Sequence, residues 1–187
     1  MTFTLLMDPG IPRRHLPQAS LTVGLAVCEA IEGFIDQADL KLKWPNDIFC
    51  RDKKLCGILI ELPKTSRQLI AIGVGININN SLRRAPAELR ETATALCDVA
   101  GQEFLLTHVL VSVMNRLDDR LKCIGHRDDE LRSRWRERCF LTNRQVEMDL
   151  GSRQISGRCR GINDDGALVI ESDSGVEVCY AGSITQF

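Results

Sequence analysis

The sequence contains no Cys-x-x-Cys pair, no apolar run of the roughly 18–20 residues that a membrane-spanning helix needs, and no excess of charge of either sign. Each absence removes a class of function. The eight cysteines are scattered, so a zinc or dithiol redox site is not expected. They read as reduced thiols packed as small apolar residues in a cytoplasmic protein. His15, His108 and His126 are equally dispersed, which argues against a structural metal site and against a Cys/His nucleophile pair. Lysine and arginine together number 24 against 25 acidic residues, leaving no basic field to draw nucleic acid or an anionic membrane. Neither is expected as a partner. Arg13-Arg14 precede a fairly apolar segment, but Glu29 and Glu32 interrupt it and its periodicity is helical, which argues against an export signal.

What is present fits one medium domain and a small one, since 187 residues suffice to bury a sizeable core. Residues 2–7 are β-prone and end in Asp8-Pro9-Gly10, strong turn chemistry. Leu21, Leu25, Cys28, Ile31 and Ile35 recur at helical spacing, predicting an amphipathic helix over about 18–37 that covers a sheet. Strands are expected at 41–44, 48–50, 55–62 and 68–78. The short connections near Asn46-Asp47, Asp52-Lys53 and Lys64-Thr65-Ser66 favour hairpins and a largely antiparallel or mixed sheet. Pro86 marks a helix start, and 93–96 belongs to a short helical or turn segment. A long helix begins at about Thr107, with Val109, Val113 and Leu117 on its apolar stripe. Residues 128–139 form a charged helix whose Arg132, Arg134, Arg136 and Arg138 read as a solvated face. From about 141 the pattern changes to short strands at 145–150, 154–162, 167–171 and 176–180 separated by glycine-containing turns, a small barrel or sandwich.

The chemistry concentrates in residues 41–79. Pro45 removes a backbone donor and holds Trp44 extended, so the chain leaves the sheet there and displays Asn46 and Asp47 at a strand end. Taken alone, Pro-Asn-Asp reads as a hairpin turn. With Lys43 and Trp44 beside it, the segment offers a cation, a stacking surface and a polar or metal-facing anchor, which nucleotide handling requires. Lys54 opens an apolar strand and by itself reads as a strand-end surface lysine. Gly57 inside that strand points to close approach of something to the backbone. Gly73 and Gly75 alternate in the next strand and open one sheet face, with Asn77 directed to that same face. This Gly-x-Gly lies inside a β-prone run with no third glycine before a helix, so it is not a dinucleotide fingerprint.

Lys-Trp-Pro-Asn-Asp at 43–47, Lys54-Leu55-Cys56-Gly57-Ile58-Leu59-Ile60-Glu61 and Gly73-Val74-Gly75-Ile76-Asn77-Ile78-Asn79, in this order and spacing, closely resemble the catalytic domain of biotin–protein ligases. Pro86-Ala87-Glu88-Leu89 with Ala93-Thr94-Ala95-Leu96, and the tail Arg160-Gly161-Ile162-Asn163-Asp164-Asp165-Gly166, are also similar to that family. The resemblance implies an α+β catalytic domain over 1–140, related to class II aminoacyl-tRNA synthetases, and an SH3-like barrel over 141–187. It also implies two-step biotinylation. Biotin and ATP form biotinyl-AMP and pyrophosphate, and the biotinyl group then passes to a lysine of a biotin carboxyl carrier domain in a biotin-dependent carboxylase. Lys54 matches the family's catalytic lysine. Lys43, Trp44, Asn46, Asp47, Gly57, Gly73, Gly75 and Asn77 match biotin- and adenylate-binding positions, with Asp47 the candidate ligand for Mg²⁺.

The family also carries a Gly/Arg-rich loop just before the strand matching residues 2–7, preceded by a Ser/Thr-bearing segment and a glutamine that help bind biotin. None of these occurs in this sequence. The expectation is therefore ligase architecture, N-terminally truncated, with impaired activity and an exposed edge. A lipoate–protein ligase is the alternative within the fold, and a non-catalytic binding or dimerisation module the alternative outside it. A repressor role is disfavoured by the near-neutral charge. The resemblance also carries a homodimer through the sheet of the main domain, which no residue pattern marks.

Overall fold

The computed structural model describes residues 1–8, 10, 16–36, 38–63, 69–124 and 129–187. Pro9, Arg13-Arg14, His15, the connection at 64–66, His126 and Asp128 lie outside the described residues. The elements run in order β1 (Thr2–Met7), α1 (Leu16–Glu32), β2 (Leu40–Lys43), β3 (Asp47–Cys50), β4 (Lys53–Glu61), β5 (Ile70–Ile76), α2 (Ala87–Thr92), α3 (Leu96–Ala100), α4 (Leu106–Leu121) and α5 (Asp129–Arg138). Then follow β6 (Gln145–Asp149), β7 (Gln154–Ile162), β8 (Leu168–Ser172), β9 (Gly175–Cys179) and β10 (Ser183–Gln186). Among the described residues no helix is long and apolar enough to cross a membrane.

Helices and two antiparallel sheets make up the fold. The first sheet has the order β1-β5-β4-β3-β2 and the second β10-β6-β7-β8-β9. Among the described residues, parallel pairing occurs only at the isolated bridges Leu42–Cys139 and Lys54–Ala93. The β3–β4 connection is Arg51-Asp52, both in the left-handed region at φ 49° and 63°, the two-residue turn whose twist suits adjoining antiparallel strands. Strand alternation sorts the first sheet into two faces. On β5, Ile70, Ile72, Val74 and Ile76 are buried, whereas Ala71, Gly73 and Gly75 occupy the opposite face.

The buried face packs on α1, and α4 and α5 cover the far side of α1. The helix is therefore buried around nearly its whole circumference, which the apolar stripe alone does not reveal. It also stops earlier than the periodicity predicts. Gly33 follows Glu32, and the Phe34 amide donates to Ile31 in a three-residue turn that keeps Ile35 buried outside the helix. The arginines of α5 correct a second expectation. Arg134 pairs with Glu29 and Arg138 with Glu32, both on α1, and Arg136 pairs with Asp164 of the second sheet's β7–β8 turn. Within the helix Arg132 pairs with Asp129, and Arg134 also pairs with Glu130. Alternation spreads these side chains around the helix, and three of them reach acids on other elements instead of forming a solvated face.

The last strand, β10, was not expected: Ser183-Ile184-Thr185-Gln186 is short, polar and mostly exposed, and pairing with β6 defines it. The two sheets are tied together at several points. Trp44 Nε1 donates to Gly166 O at 3.1 Å, Phe140 N donates to Leu42 O at 2.8 Å, and Arg144 pairs with Asp52 at 3.2 Å. All eight cysteines are free, seven of them buried.

Candidate active site

The site is built on the open face of the first sheet, beginning at the β2–β3 hairpin. Its loop is Trp44-Pro45-Asn46, with a cis Trp44–Pro45 bond. Trp44 is 1% exposed and sends its indole N–H to Gly166, so its ring is core and not the stacking surface expected from sequence. Burial of the ring against the second sheet outweighs any role at the surface. Asn46 is likewise turned to the protein. Its Nδ2 donates to Ile58 O at 2.6 Å and its carbonyl accepts from Ile58 N at 2.8 Å, while Ser20 Oγ donates to Pro45 O. These bonds hold the loop against β4 and leave Asp47 as the side chain it presents.

The register then lines up one residue from every strand. Lys43 pairs with Asp47, Asp47 with Gly57, Gly57 with Gly75, and Gly75 with Thr2. Cross-strand partners share a face, so this row runs across the sheet with cation and carboxylate at one end, two glycines in the middle and a hydroxyl at the other. Gly73 lies one step along, between Thr4 and Leu59. A Cβ added at Gly57 would sit 3.5 Å from Lys54 Cε and 3.6 Å from Asp47 Oδ1, and one at Gly75 would meet nothing closer than 3.9 Å. Folding therefore does not demand glycine at either place. What the missing side chains create is a flat floor over which a ring system can lie.

Lys54 joins this face through a bulge. Phe49 pairs with Lys54 and Ile48 with Cys56, so Leu55 is one extra residue on β4. Leu55 and Cys56 are both buried, and Lys54 emerges beside Gly57, three positions away, where strict alternation would put the two on opposite faces. Lys54 Nζ lies 2.7 Å from Asp47 Oδ1, with the lysine side chain 46% exposed and the aspartate 17%. Lys43 is half-buried. Burial pushes its ammonium below the usual lysine value, Asp47 opposes that shift and Lys54 adds to it.

Asn77 follows β5 at the rim. Its Nδ2 donates to Thr94 O at 3.1 Å, and its Oδ1 accepts from Asn80 Nδ2 at 2.9 Å. Thr94 N in turn donates to Lys54 O, which makes Thr94 a link between the two that sequence reasoning missed, as it missed Thr2. Thr2, Gly75, Asn77, Asn79, Asn80 and Leu106 line a groove of about 430 Å³ that continues the glycine floor. On the far side of Thr94 a second cleft, about 320 Å³, is lined by Lys53, Arg83, Arg90 and Asp98. The predicted residues thus divide in three. Lys43, Asp47, Lys54, Gly57, Gly73 and Gly75 share the open face, whereas Trp44 and Asn46 support it from the protein side and Asn77 borders it.

No group of three or more His, Cys, Asp or Glu side chains able to hold a metal occurs among the described residues. Asp47, the carboxylate of the row, is paired with Lys54.

Comparison with known proteins agrees with this architecture. The profile of the Biotin/lipoate A/B protein ligase family matches residues 1–79, and that of the Biotin protein ligase C terminal domain matches residues 142–185. Along both stretches the chain is similar to biotin protein ligases. It is 29% identical to the bifunctional ligase/repressor BirA of Bacillus subtilis over 188 residues, covering 97% of this chain and 56% of that protein. It is also 29% identical to the biotin–[acetyl-CoA-carboxylase] ligase of Mycobacterium tuberculosis, covering 88% of this chain and 60% of the relative. The chain therefore spans little more than half the length of these relatives. The biotin protein ligase of Aquifex aeolicus in complex with biotin and ATP superposes with a TM-score of 0.86 at 28% identity, over 100% of this chain and 78% of that one.

Proposed function

We propose that this chain is a biotin–protein ligase that makes biotinyl-AMP and transfers biotin to a lysine of a biotin carboxyl carrier domain. The observation that carries the reading is the row Lys43–Asp47–Gly57–Gly75–Thr2 with Lys54 beside it, a flat floor flanked by two ammonium groups. In the first step a carboxylate oxygen of biotin attacks the α-phosphorus of ATP, and the bond to the bridging oxygen breaks with loss of pyrophosphate. Two anions must meet, so cations at the meeting point lower the barrier. Lys54 is placed for this role, and Asp47 holds its ammonium over Gly57. Lys43, at the end of the row, supplies a second cation. In the second step a carrier amine attacks the biotinyl carbonyl and AMP leaves, so the charge that Lys54 stabilises lies again on phosphate. Gly57, Gly73 and Gly75 admit the biotin rings and adenylate, Asn77 borders the nucleotide, and Mg²⁺ enters with ATP on the side of Asp47.

The reading extends to the rest of the chain. Residues 1–140 form the catalytic domain and 141–187 an SH3-like domain, a division supported by the separate sheets β1–β5 and β6–β10. Eight free thiols suit a reducing compartment, hence the cytoplasm. The test is incubation with biotin, Mg²⁺ and radiolabelled ATP followed by addition of a carrier domain. The expected result is Lys54-dependent biotinyl-AMP and then biotinylated carrier. Adenylate formed from lipoate in preference to biotin would transfer the chain to the lipoate branch, and absence of any acyl-AMP would overturn the enzymatic reading.

A further inference from the structure

At the Lys43 end of the row, the open face is not bare. Phe49 of β3, Phe140 of the turn after α5 and Phe187, which follows β10, form an aromatic cluster there. The Phe49 and Phe140 centroids lie 4.8 Å apart, and Phe187 stands edge-on to both at 6.2 and 5.6 Å. A cation sits on the cluster at either end. Arg144 Cζ lies 3.9 Å from the Phe140 centroid, and Lys43 Nζ lies 4.7 Å from that of Phe187 and 5.8 Å from that of Phe49.

The cross-strand partner of Lys43 is the acid Asp47, but that carboxylate already holds Lys54 at 2.7 Å. The long lysine side chain therefore takes its direction from the rings. Phe49 is fixed in the core at 7% exposure, whereas Phe187 is 49% exposed and comes from the second sheet. Of the two rings, it is the closer to the ammonium. We infer that Phe187 is a positioning residue of the first sheet's site: its ring face holds the Lys43 ammonium at the end of the glycine row, making the second sheet a contributor to anion binding. The kinetic consequence rests on the ligase reading above, but the contact itself does not.

A cation over an aromatic face at a partly exposed site is worth enough to shift an affinity by about three- to tenfold. Phe187→Ala is expected to raise KM for ATP by that factor with kcat within about twofold. Phe187→Trp should restore the KM, and Phe187→Leu, apolar but without a ring face, should not. In a Lys43→Met background the Phe187→Ala change should add nothing; full additivity would overturn the inference by placing the action of Phe187 elsewhere. A second readout needs no activity. Trace acylation of the intact chain, read peptide by peptide with Lys41 as internal reference, should show Lys43 reacting about threefold faster or more in Phe187→Ala and at its original rate in Phe187→Trp. Unchanged Lys43 reactivity overturns the inference whatever the kinetics. A wild-type chain that forms no acyl-AMP overturns the ligase reading, and the labelling alone then decides the contact.

Discussion

Lys54 Nζ lies 2.7 Å from Asp47 Oδ1, across a bulge that brings both over Gly57. A half-exposed ion pair of this kind contributes little to stability, about 0–1 kcal/mol. Its value is directional: it fixes a flexible ammonium above the sheet. Lys54→Met should therefore leave the thermal midpoint within a few degrees of wild type and lower adenylate formation about 100- to 1,000-fold, the scale for removal of one group that stabilises developing charge. Asp47→Asn should lose less and should weaken the dependence on Mg²⁺. Pyrophosphate release and a melting curve on the same preparations check both. A large fall in midpoint for Lys54→Met would show a structural lysine instead.

Gly57 and Gly75 face each other on β4 and β5 with room above them. Alanine fits at either position without displacing protein atoms, and in a strand it removes the entropic cost that glycine carries. Gly75→Ala and Gly57→Ala are expected to fold with unchanged or slightly raised stability, yet to bind biotin at least about tenfold more weakly by calorimetry, because the methyl occupies the floor. Valine should abolish detectable binding. Wild-type affinity in Gly75→Val would place the ligand elsewhere.

The element order up to β9 and the site stretch were legible in the sequence, because alternation on β5, helical spacing on α4 and glycine-containing turns are local signals. Three features were not. The bulge at Leu55 changes the face of Lys54 through pairing with β3, which no spacing within β4 encodes. Trp44 looked like a stacking surface because the acceptor of its indole, Gly166, lies 122 residues away. The arginines of α5 looked solvated because Glu29 and Glu32 reach them from a different helix. Each miss is a pairing with another element that overrides a reading of one segment alone.

Glu29 shows how much such a pairing carries. Its side chain is 7% exposed and accepts from Arg120 Nε and Nη2 at 2.9 and 2.8 Å and from Arg134 Nη1 at 2.5 Å, joining α1, α4 and α5. Removing the acid leaves the largely buried Arg120 guanidinium without its counter-charge, while Arg134 keeps Glu130, a loss of about 3 kcal/mol. Glu29→Ala should shift the urea midpoint accordingly. Arg134→Ala, where the arginine is 37% exposed, should cost far less. Acyl-AMP formation per folded molecule should be unaffected in both. A loss under about 1 kcal/mol for Glu29→Ala would show that water reaches the cluster.

The buried thiols set a limit at alkaline pH. Burial pushes Cys28 up to about 12 from its ordinary 9.0, and Cys56 is raised further for the same reason. In the unfolded chain these thiols ionise from about pH 9, while the folded protein keeps them protonated. Between those values the unfolded state binds fewer protons, so stability is fully present below pH 9 and is lost as pH rises towards the folded value. At pH 10.5 the loss is about 2 kcal/mol for Cys28 alone, from 1.4 kcal/mol per pH unit. A Cys28→Ala/Cys56→Ala variant, less stable at pH 8 through lost packing, should lose markedly less than wild type between pH 8 and 10.5. Urea titrations at the two pH values read the difference directly, since lysine and tyrosine ionisation is common to both proteins. Equal losses would mean that the thiols already meet solvent in the native state.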